Sequence, residues 1–90
     1  MVIMTLQQII DERISFLKEQ INPNNKPHVN KTFQLQIDSI RSVNDIELIE
    51  SIILQKKANL KNCKDMHETD SLFAELDALE WLQRQIARYS

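Results

Sequence analysis

Cys63 and His67 stand four residues apart, the spacing at which one helix face presents a thiol and an imidazole side by side. Such a pair can share a metal ion or act as a thiolate and its base. Two ligands make only half of a metal site, no acidic residue stands at an obvious ligand spacing, and nothing in the sequence brings His28, in a proline-containing segment, near them. The ordinary explanation is a small thiol beside a helix-terminal histidine. The sequence is therefore read as binding no metal and no cofactor, and as having no catalytic residues.

Lys57, Lys61 and Lys64, with Lys56 nearby, line one side of a helix and could follow a phosphate backbone. Three observations weigh against that use. Lysines near a helix C-terminus already complement the macrodipole, the chain carries a formal charge of −2, and no aromatic side chain is interleaved to stack on bases. A short helix, a turn at Arg41 to Asn44 and a second helix also match the lengths of a helix-turn-helix. There the first turns of the recognition helix would hold Asp45, Glu47 and Glu50, which phosphates repel.

Trp81 bears most directly on function. On a helical wheel Leu72, Leu76, Leu79, Leu82, Ile86 and Tyr89 form the inward face, whereas Trp81 turns away from its centre, alongside Asp77, Arg84 and Arg88. Phe73 lies on the same broad side. Tryptophan and arginine dominate binding hot spots because they combine large buried area with directional hydrogen bonds. Phe73, Trp81, Arg84 and Arg88 thus form a candidate surface for docking another protein. In the alternative reading, a helix from the N-terminal half of the chain, at about 6–21 or 31–41, covers Trp81 within the monomer.

Three charged residues fall inside apolar stripes: Arg13, Lys56 and Glu75. The expectation is that Glu75 meets Arg13 or Lys56 at a packing seam and fixes its register, with snorkelling of the two cations to solvent as the competing reading.

The elements that must position these residues are all helical. Apolar residues from Ile3 to Ile21 recur at three and four, and Thr5 with Gln8 has capping-box spacing, so a first helix is expected at about 6–21. Asn22 and Pro23 close it, with Asn22 expected to supply the left-handed conformation at the terminus. Residues 22–29 then form a proline-containing loop. Residues 31–41 fit a helix face through Phe33, Ile37 and Ile40, with Asn30 as its cap. They also alternate as a strand would, but no second strand is visible for pairing.

From Asn44 onward neither proline nor glycine interrupts the chain, yet the heptad frame of Ile46, Ile49, Ile53 and Leu60 runs into His67, Asp70 and Asp77 instead of Leu72, Leu76 and Leu79. Acidic residues also lead to basic ones twice over. Each helix favours acids at its start and bases at its end, so two helices are expected, at about 44–64 and 70–88, with a break near 65–69 and Thr69 or Asp70 as cap. Phe16 and Leu48 widen their stripes, as expected if each helix contacts two neighbours, and the same excess would serve a homodimer.

The sequence of 90 residues holds no glycine, which excludes phosphate-cradling loops, dinucleotide fingerprints and strained nucleophile elbows. One cysteine and no secretory leader pattern point to the cytoplasm. Residues with AT-rich codons (Phe, Tyr, Met, Ile, Asn, Lys) number 33 against 10 for Ala, Gly, Arg and Pro, a bias shared by phages, mobile elements and AT-rich bacteria.

The reading is a single all-α domain spanning 1–90, a small four-helix bundle whose last two helices form an antiparallel hairpin, and a homodimer. Its expected function is that of a non-enzymatic interaction module, a small regulator or inhibitor that occludes a surface of another protein. A nucleic-acid-associated regulator using Lys57, Lys61 and Lys64 is the alternative.

Overall fold

In the computed structural model, which describes residues 5–89, helix α1 spans Leu6–Gln20 and begins on a reciprocal cap. The Gln8 N–H donates to Thr5 Oγ1 at 3.2 Å and the Thr5 N–H donates to Gln8 Oε1 at 2.9 Å. This is the capping box that the Thr-x-x-Gln spacing predicts. The other end differs from expectation. Ile21 closes the helix in an extended conformation, its N–H reaching Lys18 O, and no described residue has positive φ. Asn22 therefore does not supply a left-handed cap.

The connection to α2 is held by amide side chains. Asn30 Oδ1 accepts from the Asn22 N–H and from Asn25 Nδ2, while Asn30 Nδ2 donates to Asn22 O. Asn25 Nδ2 also donates to Gln20 O at 2.7 Å, and Asn22 Oδ1 accepts from the Asn24 N–H. Backbone groups that would otherwise lack partners at the turn are satisfied without glycine.

Helix α2 spans Pro27–Arg41 and so starts four residues earlier than the expected 31–41. Pro27 occupies the first turn, where a missing N–H costs nothing and φ is already helical. The loop shrinks from 22–29 to 21–26, and Asn30 lies inside the helix as a loop clamp instead of capping it. Residues 31–41 are helix, and the described residues contain no strand.

Helix α3 spans Ile46–Asn62, two residues short of the expected 44–64 at each end, and is capped by Asp45, whose side chain accepts from the Glu47 N–H. Helix α4 spans Met66–Tyr89. The break between them lies at 63–65, and α4 starts ahead of the expected residue 70 because Asp65 takes the capping role given to Thr69 or Asp70. Asp65 Oδ1 accepts from the His67 N–H, and Thr69 Oγ1 donates to Asp65 O.

The four helices make a small bundle in which α4 packs against α1, α2 and α3, α1 packs on α2, and α3 rests chiefly on α4. One continuous core unites Ile9, Ile10 and Leu17 of α1, Ile37 and Ile40 of α2, Ile49 and Ile53 of α3, and Leu76, Leu79 and Leu82 of α4. The Cα envelope measures 43 × 34 × 17 Å. A thickness of 17 Å accommodates no more than two helix layers at the usual 8–10 Å spacing. The peripheral helices therefore keep one side open: Phe16 on α1 and Leu48 on α3 are about half exposed instead of meeting a second neighbour.

Leu79 and Leu82 have no exposed surface. Leu79→Ala is expected to cost about 3 kcal/mol through lost transfer energy and a cavity between packed helices. Leu54→Ala, at a 59% exposed position, should stay within about 0.5 kcal/mol. Urea unfolding followed by circular dichroism measures both.

Candidate interaction surface

The helix divides the four candidate residues of α4, Phe73, Trp81, Arg84 and Arg88. Phe73, Arg84 and Arg88 share its outward ridge with Asp77, at spacings of four, seven and four residues. All four are exposed, Phe73 to 52%. Trp81 sits at the margin of that ridge, partly buried and packed against the core. Helix α1 covers it: the Arg13 guanidinium lies 4.2 Å from the centre of the Trp81 ring. The same guanidinium lies 4.8 Å from the Phe16 ring, so one cation is held between two aromatic faces. The side chain of Tyr89, expected on the inward face, lies outside the described residues.

The stack explains how a charged residue fits into the apolar stripe of α1. Arg13 Nε is buried and has no hydrogen-bond partner. Burial alone pushes the guanidinium below its ordinary value. The electron-rich faces of Trp81 and Phe16 offset part of that desolvation, because a planar guanidinium can stack where a solvated ammonium cannot. The helical period places Trp81 away from the core centre, but only the meeting of α1 with α4, 68 positions apart in sequence, determines that an arginine covers it.

Glu75 takes the other of its two expected partners. Lys56 Nζ lies 3.0 Å from Glu75 Oε2, and both side chains are about three-quarters buried. One turn along, Lys57 Nζ lies 3.3 Å from Glu80 Oε1 in a more exposed pair. These contacts clip α3 to α4. Lys57 is thereby partly neutralised, and Lys64 lies beyond the end of α3 in the 63–65 link, so the three lysines of the expected stripe do not share one helix. Lys61 and Lys64 are exposed.

Cys63 and His67 likewise fall on different elements. Cys63 caps the end of α3 and its Sγ lies 3.4 Å from both Asp65 O and Thr69 Oγ1, whereas His67 belongs to the first turn of α4. The structure instead places His67 and His28 in the lining of one groove. With Lys31, Leu35 and Asp70 they line this half-open groove of about 490 Å³ where the first turns of α2 and α4 lie side by side. Among the described residues no group of three His, Cys, Asp or Glu is placed to hold a metal ion. No helix is long and apolar enough to cross a membrane.

No protein-family model, no curated protein and no solved structure matches the chain. Its surfaces must be read from their own chemistry.

Two substitution sets probe these contacts. Glu75→Ala leaves Lys56 unpaired with its side chain largely buried and is expected to cost about 2 kcal/mol, while the double change Lys56→Met with Glu75→Leu recovers most of that loss, as replacement of paired charges by packed apolar groups does. A double-mutant cycle in urea reads the coupling. Arg13→Ala is expected to shift Trp81 fluorescence to longer wavelength and raise its quenching by acrylamide. Arg13→Lys should give only partial protection, because an ammonium lacks the stacking plane.

Proposed function

We propose that this protein is a non-enzymatic interaction module of the cytoplasm, a small regulator or inhibitor that acts by covering a surface of another protein. The observation that carries this reading is the outward ridge of α4. It places an exposed phenylalanine, Phe73, in line with two exposed arginines, Arg84 and Arg88, on the most firmly packed helix of the molecule. Aromatic and arginine side chains supply most of the energy of protein interfaces, and presenting them on a rigid helix reduces the entropy lost on docking. Trp81 supports the ridge from beneath through its contact with Arg13 instead of standing free as the anchor.

In this reading α3 and α4, clipped by the Lys56–Glu75 and Lys57–Glu80 pairs, work as an antiparallel helical hairpin whose outer face does the binding, and the protein acts as a homodimer. The exposed apolar side chains support this: Ile46, Leu48 and Leu54 on α3 and Met66 and Phe73 on α4 account for five of the six large ones among the described residues. A nucleic-acid role has less support, since acidic side chains share the exposed side of α3.

Affinity capture from the source cell tests the reading. A partner retained by the wild-type chain is expected to be lost, by at least about tenfold, from the Phe73→Ser, Arg84→Glu double variant, whose fold should be unchanged because both positions are exposed. Retention of the same partner by the folded variant would remove the ridge as the docking surface. Binding to random-sequence DNA that falls steeply with added salt would favour the nucleic-acid reading instead.

A further inference from the structure

Along the exposed side of α3, Glu47, Glu50, Leu54, Lys57 and Lys61 follow one another at spacings of three, four, three and four, which places them on a single stripe. All five are exposed, and Leu54, at the midpoint of Ile46–Asn62, is 59% exposed. The stripe reads acid, acid, leucine, base, base. Its charge order inverts about Leu54, and Glu47 and Lys61 lie seven residues to either side, about 10.5 Å along the axis.

A stripe of this order is complementary to itself run backwards. Laid antiparallel on a second copy with the two Leu54 side chains facing each other, Glu47 comes level with Lys61 of the other copy. Glu50 comes within one residue of level with Lys57. Each contact occurs twice, as in every isologous interface. Parallel in-register pairing would set Glu47 and Glu50 against their own copies and repel, so the charges select both the partner and its direction. The Lys57 ammonium keeps donors to spare beyond its exposed contact with Glu80.

We infer that two copies of this chain associate antiparallel along α3, with Leu54 on the twofold axis and the Glu47–Lys61 and Glu50–Lys57 pairs on either side. The inference rests on the dimeric part of the function proposed above and assigns it a surface. With one leucine at the centre and charge pairs around it, the association is modest in strength and sensitive to salt, since exposed ion pairs each contribute little and are screened.

Sedimentation equilibrium of the full chain at low salt, up to about 500 μM, tests it. The wild type is expected to approach twice the 10.6 kDa chain mass and to dissociate as salt is added. Leu54→Glu sets two carboxylates face to face and should leave a folded monomer. Glu47→Lys and Lys61→Glu should each weaken the dimer by about tenfold or more, because each removes two pairs and creates two repulsions. Their combination in one chain reverses both Glu47–Lys61 pairs, leaves the Glu50–Lys57 pairs as they are, and should recover most of the affinity, which a merely damaged fold would not do. In a Cys63→Ser background, Leu54→Cys should form a disulfide-linked dimer on mild oxidation.

A wild type that stays monomeric throughout overturns the inference together with the dimeric reading. A dimer that tolerates Leu54→Glu and shows no charge-reversal rescue overturns the surface alone. Neither outcome bears on partner capture by the α4 ridge.

Discussion

The structure depends on burying one helix. Leu72, Ala74, Leu76, Ala78, Leu79 and Leu82 of α4 are all buried, and around the helix they cover more than half of its circumference. No single neighbour can cover an arc that wide. α1, α2 and α3 each bring a narrower apolar stripe to a different part of it, and the remaining contact of consequence is that of α1 with α2. The flat envelope follows, because α3 rests chiefly on α4 and adds no further layer over α1 and α2. α3 in particular is buried where it meets α4 and open elsewhere, so its outer residues are available for a task other than stability.

The two cations that interrupt apolar stripes both meet α4, and by different chemistry. Lys56 meets the carboxylate of Glu75, which returns a strong directional contact to a compact ammonium. Arg13 meets the face of Trp81, which accepts a flat, weakly hydrated guanidinium but gives Nε no hydrogen bond. Leucine and isoleucine seams tolerate small slips at little cost. A slip of one turn on either side of α4 would leave one of these cations buried without its partner, so the two contacts hold α1 and α3 in register against the hub.

Periodicity and charge order made most of this architecture legible. The apolar spacing marks α1, α3 and α4, α2 is separated from a strand only by the lack of a second strand to pair with, and the broken heptad frame with its repeated acid-to-base gradient separates α3 from α4 to within a few residues. The errors sit at the boundaries, where one residue type serves two purposes. Pro27 ends helices when it falls inside them but is well suited to the first turn, and it opens α2. Asn30 and Thr69 have capping chemistry, yet Asn30 clamps the preceding loop and Thr69 back-bonds to the carbonyl of the true cap, Asp65. The helical wheel turns Trp81 away from the centre of the inward face and beyond its edge, alongside Asp77, Arg84 and Arg88. It carries no information on what lies across that edge, because the cover comes from α1, and the same holds for the groove that His28 and His67 both line.

The absence of glycine sharpens the contrast between the loops and the surfaces of this chain. Every turn among the described residues is made with negative φ, held by the amides of Asn22, Asn25 and Asn30 or by the carboxylates of Asp45 and Asp65. Loops whose polar side chains are committed to their own backbone have few groups left with which to meet a ligand. The helix exteriors are under no such constraint. On α3 the order of charge that complements the macrodipole, acids first and bases last, is also the order that makes an antiparallel copy complementary. The two requirements coincide on any helix with such a gradient. What distinguishes α3 is that its gradient lies on one stripe, centred on an exposed leucine, on a helix that the hub leaves open.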